Sequence, residues 1–276
     1  MASISVPDPV PAPTEDAENI RKAVEGWGTD EKALIEILGH RTAAQRAEIA
    51  VAYEGLYDQP LIGRLQDELS SHFRGAMMLW TMDPAARDAK LAYKALAWVL
   101  IEVACASSPD HLVAVRKAYC SAYESSLEED VLKQFLVRLV SSYRYAGGEH
   151  VDDELARAEA AELHGAVVVR VISSRSKPQL KATFQHYKQH HGKSFDELSA
   201  MLKTAVWCLT TPEKHFAEVI RNSIVGLGTD EESLTRGIVS RAEIDMKKVK
   251  EEYFKTTVII GDTSGYYKDI LLTLVG

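Results

Sequence analysis

The sequence predicts an all-α fold made of four copies of one helical unit, and three observations carry that prediction. The segment at 33–57 returns at 99–123, 168–191 and 234–255, with Tyr53, Tyr119, Tyr187 and Tyr253 marking the register at spacings of 66, 68 and 66 residues. Self-similarity at a fixed period is the sequence signature of a repeat architecture. Within each copy apolar residues recur at helical spacing, and no stretch shows the apolar–polar alternation of a half-buried strand. Length alone, 276 residues, suggests one or two ordinary domains; the repetition replaces that with four small units sharing one plan.

The elements follow in chain order. Residues 1–13 carry Pro7, Pro9, Pro11 and Pro13 and read as an extended arm. With no basic segment followed by an apolar one, they do not form a secretory signal. The first repeat, 14–82, holds Ile49, Ala52, Tyr53, Leu56 and Tyr57 at i, i+3, i+4, i+7 and i+8, one buried stripe, behind a capping box of Thr42 and Gln45. The second, 83–144, repeats the stripe with Val115, Ala118, Tyr119, Ala122 and Tyr123, behind Ser108 and a proline at the first helical position. A linker at 145–153 leads to the third, 154–210, where Ser176 and Gln179 have capping-box spacing and Leu198, Met201, Leu202, Ala205, Val206 and Leu209 form a stripe. The fourth, 211–276, opens with Phe216, Val219, Ile220 and Ile224 and has Ser240 and Glu243 at capping-box spacing.

Composition excludes several function classes. Forty acidic against 32 basic side chains give a formal charge of −8, which repels a phosphate backbone, so nucleic acid is not an expected partner. The same sign argues against polybasic adhesion to anionic lipid. Cys105, Cys120 and Cys208 are odd in number and lack metal-ligand spacing, which fits a reducing cytosol better than a disulfide framework. The most apolar run, 91–106, is 16 residues long and carries Lys94 and Glu102, short of the roughly 20 that span a bilayer.

The second internal match bears on chemistry. Gly26-Trp27-Gly28-Thr29-Asp30-Glu31 returns 200 residues later as Gly226-Leu227-Gly228-Thr229-Asp230-Glu231, each between the end of one helix and the start of another. Paired glycines let the backbone adopt positive φ and turn carbonyls outward, Thr29 and Thr229 are placed to cap the next helix, and the acidic residues suit its positive end. A plain interhelical turn would need no more. A hard cation such as Ca²⁺ takes six to eight oxygens, and a loop of carbonyls plus one carboxylate supplies most of them. Glu68, forty residues after Gly28, and Asp262, thirty-four after Gly228, are acidic residues at a second turn of the same repeats.

With the four repeats and the G-x-G-T-D loop, each followed by its downstream acid, the sequence resembles the annexins, plant members in particular. The resemblance spans nearly the whole chain. It implies a curved disc of four repeats of about five helices each, and calcium-dependent docking on acidic phospholipid. Carried onto matching positions, the implied ligands are the carbonyls of Val24, Gly26 and Gly28 with the Glu68 carboxylate, and those of Ile224, Gly226 and Gly228 with Asp262. Trp27 matches plant members and, with Leu227, sits at a loop tip where it would enter the headgroup region. A chain of charge −8 would need a cation held in its loops to approach an anionic leaflet. The resemblance further implies a cytoplasmic protein, mostly monomeric and able to assemble on membranes. It would move to the periphery of the plasma membrane as calcium rises, in calcium and stress signalling.

The chain departs from the family where 91–96 and 161–167 run straight into the next helix without the loop, so no sites are expected in the middle repeats. Connections are also short at 129–131, 195–197 and 258–260. Since a reversing helix pair needs about two to eight loop residues, we expect the sequence in hand to omit residues of those loops. Plant annexins are also linked to nucleotide hydrolysis, peroxidase-like activity, ion conduction and actin binding. Here Asp262-Thr263-Ser264-Gly265 fits a D-x-x-G pattern that resembles one used for GTP. His40 matches a histidine discussed as a haem ligand, Cys105 and Cys208 match a redox pair, and 169–172 loosely resembles an actin motif. A catalytic triad and a phosphate-binding G-x-x-x-x-G-K loop are both missing, and the protein is not expected to be primarily an enzyme; the alternative reading is an enzyme hydrolysing nucleotide or reducing peroxide on the same scaffold.

Overall fold

The computed structural model describes residues 1–26, 28–94, 97–130, 140, 150–162, 171–191, 200–225, 228–256 and 264–276. Among these residues every regular element is a helix, as the periodicity predicts. The first repeat supplies α1 (Pro13–Ala23), α2 (Glu31–Leu38), α3 (Ala43–Tyr57), α4 (Leu61–Glu68) and α5 (Ser71–Thr81). Next come α6 (Pro84–Tyr93), α7 (Ala97–Ala106), α8 (Pro109–Tyr123) and the short α9 (Leu127–Asp130), followed by α10 (Asp153–Glu162), α11 (Lys177–His191) and α12 (Ala200–Thr210). The last stretch holds α13 (Pro212–Ile224), α14 (Glu231–Val239), α15 (Met246–Thr256) and α16 (Gly265–Val275). None of the described helices is long and apolar enough to cross a membrane.

The chain divides into two compact units, one of Met1–Pro84 with Phe216–Gly276 and one of Ala85–His215. In the first, Ile20, Leu34, Leu38, Ile49, Tyr53, Leu65 and Trp80 are fully buried. The Trp80 indole Nε1 donates to the Leu38 carbonyl at 2.7 Å, so the largest core side chain also satisfies its one polar atom. In the second, Ile101, Leu112, Val115, Tyr119, Ile172 and Leu180 lie in one cluster with Cys105 and Cys208.

Repetition is visible in detail. Tyr53 and Tyr57 meet at 4.9 Å between ring centroids and 58° between planes; Tyr119 and Tyr123, 66 positions on, meet at 4.9 Å and 56°. Asp58 and Glu124, also 66 apart, end α3 and α8 in the left-handed region at φ 51° and 55°. Helix starts follow sequence in part. Thr42 and Gln45 form the full capping box, with the Thr42 hydroxyl accepting from Gln45 N and the Gln45 amide oxygen accepting from Thr42 N. Ser108 accepts from His111 N at 3.2 Å.

Other expectations need correction. Ser240 closes α14 as its C-cap and starts no helix; Glu243 does not reach back to it. The Glu243 carboxylate instead accepts from Ala43 N at 2.6 Å and Arg46 Nη2 at 2.9 Å in the first repeat. At Ser176 half of the box survives: Gln179 N donates to its hydroxyl, while the Gln179 amide pairs with both the N–H and carbonyl of Asp152. Leu56 and Ala122, the i+7 members of the two stripes, are exposed. Leu198 lies outside the described residues. The arm is tied down at Ser3, which is 5% exposed, donates its N–H to the Ala242 carbonyl at 2.9 Å and its hydroxyl to the Leu274 carbonyl.

Candidate functional site

The site is built at the turn between α1 and α2. α1 ends with the Val24 N–H held by the Ile20 and Arg21 carbonyls. Gly26 and Gly28 follow at φ +118° and +91°, conformations a β-carbon resists, and both face solvent. The helix after the turn is capped by Asp30, whose carboxylate accepts from Ala33 N at 2.9 Å, and not by Thr29. Thr29 has a different partner: its hydroxyl donates to the main-chain carbonyl of Glu68 at 3.4 Å, tying the glycine loop to the end of α4. An Asp at the cap displaces Thr because its carboxylate serves both the orphan amides and the positive helix end.

Glu68 is the last residue of α4, and its partly exposed carboxylate does come back to the loop. Between the two stands Arg64, one turn earlier on the same helix. Its Nη2 donates to the Val24 carbonyl at 2.7 Å and lies 2.8 Å from Glu68 Oε1. The two oxygens therefore converge on one positive nitrogen and are no more than 5.5 Å apart. Arg64 escaped the sequence reading; its signal was the i,i+4 spacing to Glu68, which marks an ion pair on a helix face.

In the last repeat the described ends of the turn match those of the first. Asp230 N donates to the Ser223 carbonyl at 2.8 Å, as Asp30 N does to Ala23 O at 2.8 Å, and the Asp230 carboxylate caps α14 through Ser233 N at 3.1 Å. Here too the cap is the Asp, and not Thr229. Gly228 has φ +96°, matching Gly28. Tyr267 braces the helix start from α16, donating to the Glu231 carbonyl at 3.0 Å and pairing with Thr235 at 2.9 Å; burial pushes its phenol pKa up to about 12. Ile224 is at the end of α13. Gly226, Leu227 and Asp262 lie outside the described residues, as does Trp27; of the expected set, Val24, Gly26, Gly28 and Glu68 are described at the first turn, with Val24 and Glu68 meeting at Arg64, and Ile224 and Gly228 at the last.

The remaining candidates lie outside the glycine turns. His40 Nδ1 is 2.7 Å from the Ser5 carbonyl, so this imidazole fastens the arm to the end of α2. Cys105 and Cys208 lie on the packed helices α7 and α12, each at 0% exposure, as small core residues would. The short connections at 95–96, 131 and 163–167 and those at 195–197 and 258–260 lie outside the described residues.

A turn whose Val24 carbonyl and returning Glu68 carboxylate converge on one point is chemically suited to a hard cation, and the arrangement already holds a cationic nitrogen there. The chain is similar to known proteins. The annexin family model matches residues 15–80 and 215–274, the two stretches that carry the glycine loop. Annexin D3 of Arabidopsis thaliana is 44% identical across 100% of this chain and 99% of that protein. Its alignment runs over 319 positions against 276 residues here, consistent with the shortened connections. The annexin-like protein RJ4 of Fragaria ananassa is 45% identical across 95% of each. Among solved structures, annexin III superposes with a TM-score of 0.93 at 31% identity, covering 100% of this chain and 97% of that one. A calcium-bound annexin, (Sm)1, gives 0.88 at 28% identity over 100% and 93%.

Proposed function

The chain belongs to the annexin family, and from that membership we propose that it binds acidic phospholipid when calcium fills its first and last loops. Calcium-dependent phospholipid binding is the common property of the family; the ligands named here are this chain's own. In the first repeat the carbonyls of Val24, Gly26 and Gly28 and the carboxylate of Glu68 hold the ion; in the last, Ile224, Gly226 and Gly228 with Asp262 do so. The single observation that carries this is the convergence of the Val24 carbonyl and the Glu68 carboxylate on one positive nitrogen at 2.7 and 2.8 Å.

Bound there, Ca²⁺ supplies positive charge with open coordination positions that lipid phosphate can fill. The protein's residues prepare the place. Gly26 and Gly28 permit the carbonyls to face outward, Thr29 fixes the loop to the Glu68 backbone, and Asp30 anchors the loop's far end to α2. Trp27 and Leu227 at the tips enter the headgroup layer. Because the chain carries a formal charge of −8, adhesion to an anionic surface depends on the ion. In a cell this amounts to peripheral recruitment from the cytoplasm to the plasma membrane as calcium rises. The protein is mostly monomeric in solution and able to assemble on the membrane it has joined.

A calorimetric calcium titration of the full chain tests the ligand set. Glu68→Gln should remove the first-repeat binding step and leave the last-repeat step in place. An unchanged titration would show that Glu68 is not a ligand.

A further inference from the structure

We infer that Arg64 is a displaceable internal cation that holds the first-repeat loop when calcium is absent and raises the calcium concentration at which that loop fills. The inference rests on the calcium reading of the same loop. Two of the oxygens assigned to the ion, the Val24 carbonyl and Glu68 Oε1, are taken by the single nitrogen Nη2 of Arg64, at 2.7 and 2.8 Å. A cation entering between them has to break both contacts. A guanidinium keeps its charge at any physiological pH, so it cannot yield by losing a proton; it yields by rotating out. Its side chain is 23% exposed, and the partner Glu68 side chain 27%, so water is within reach of that rotation. The Nε of Arg64 is buried and has no hydrogen-bond partner among the described residues, so the inward position leaves one donor unsatisfied there.

The consequence is thermodynamic. A ligand that binds only the form with Arg64 turned out has its apparent affinity reduced by the fraction of molecules in that form. In return Arg64 ties α4 to the end of α1 and keeps the loop shaped without metal.

The test uses the full chain with calcium alone, in an Asp262→Asn background that leaves only the first-repeat step. Arg64→Gln should tighten that step by about tenfold or more, the factor expected when the competitor is one charge-assisted hydrogen bond and one part-exposed ion pair. The same change should lower the melting temperature in chelator. Opposite signs on metal affinity and metal-free stability separate a competing cation from a merely structural side chain. Affinity that is unchanged or weaker in Arg64→Gln, with Glu68→Gln still abolishing the step, overturns the role of Arg64 and leaves the calcium reading intact. If Glu68→Gln does not affect the step, the reading of the loop fails first and takes the inference with it. Should Arg64→Gln fail to fold, the wild-type Nε–Hε resonance of Arg64, assigned by its loss in Arg64→Lys, should shift in step with first-loop occupancy; a resonance that stays fixed through saturation overturns the proposal.

Discussion

Glu243 of the last repeat is bound to Arg46 of the first at 2.9 Å, although 197 residues separate them. The Arg46 side chain is 1% exposed and its guanidinium carbon lies 3.6 Å from the centroid of the Trp80 indole ring, so the pair sits on the main aromatic anchor of its unit. Glu243 also accepts from Ala43 N, serving as a second cap for α3 from outside the helix. Glu243→Ala would leave a buried guanidinium short of a partner and should cost roughly 2–3 kcal/mol. Denaturant unfolding checks this, with the Cm falling and the m-value unchanged.

Asp88 gives the fold an acid-sensitive point. Burial pushes its carboxyl pKa up, but the Arg87 guanidinium and the His111 ring, 2.8 and 2.7 Å away, outweigh burial and hold it below the usual value of 3.8. A carboxyl whose folded pKa is depressed adds stability above its unfolded pKa and loses it as pH falls through the folded one. The stability of the wild type should therefore drop more steeply below about pH 4 than that of Asp88→Asn. Urea midpoints between pH 3 and 7 would show it as converging curves at the acid end; parallel curves would contradict it.

Gly39 closes α2 against α16. A β-carbon there would lie 2.6 Å from the Ile35 carbonyl oxygen and 2.8 Å from the Thr273 methyl, both too close without movement. Gly39→Ala should destabilise by about 1–3 kcal/mol, the ordinary cost of overpacking. Thr273→Ser, which removes that methyl, should recover part of the loss in thermal melts.

Gly28 makes a different demand. Nothing lies within 4 Å of its missing β-carbon, but its φ of +91° is strained for any L side chain. Gly28→Ala should cost roughly 1–2 kcal/mol of stability and weaken first-repeat calcium binding by tilting the loop carbonyls. Gly63→Ala, at a helical and open position, is the control and should do neither.

Helix periodicity and the repeated tyrosines made the fold class legible, because Ile49 with Tyr53 and Val115 with Tyr119 are buried at matching positions of the first two units. Caps formed within one turn, such as Thr42 with Gln45, were legible as well. What sequence spacing does not contain is competition from elsewhere in the molecule. Ser240 and Glu243 have the spacing of a box, yet Glu243 finds a better partner in a buried arginine. Thr29 looks like a cap, yet Asp30 next to it does that work with a charge and frees Thr29 to bond the Glu68 carbonyl. Of the candidate site, the glycine turn and Glu68 follow from sequence. Arg64 does not, because only the return of α4 to the end of α1 brings its guanidinium to the Val24 carbonyl.

The most direct test of calcium-bridged membrane binding is co-sedimentation with phosphatidylserine vesicles, in calcium and in chelator, for the wild type and for Glu68→Gln combined with Asp262→Asn. The wild type should pellet with vesicles in calcium and stay in the supernatant in chelator, while the double variant stays in the supernatant in both. Equal pelleting of the wild type in calcium and chelator, or a double variant that pellets as the wild type does, would contradict the account.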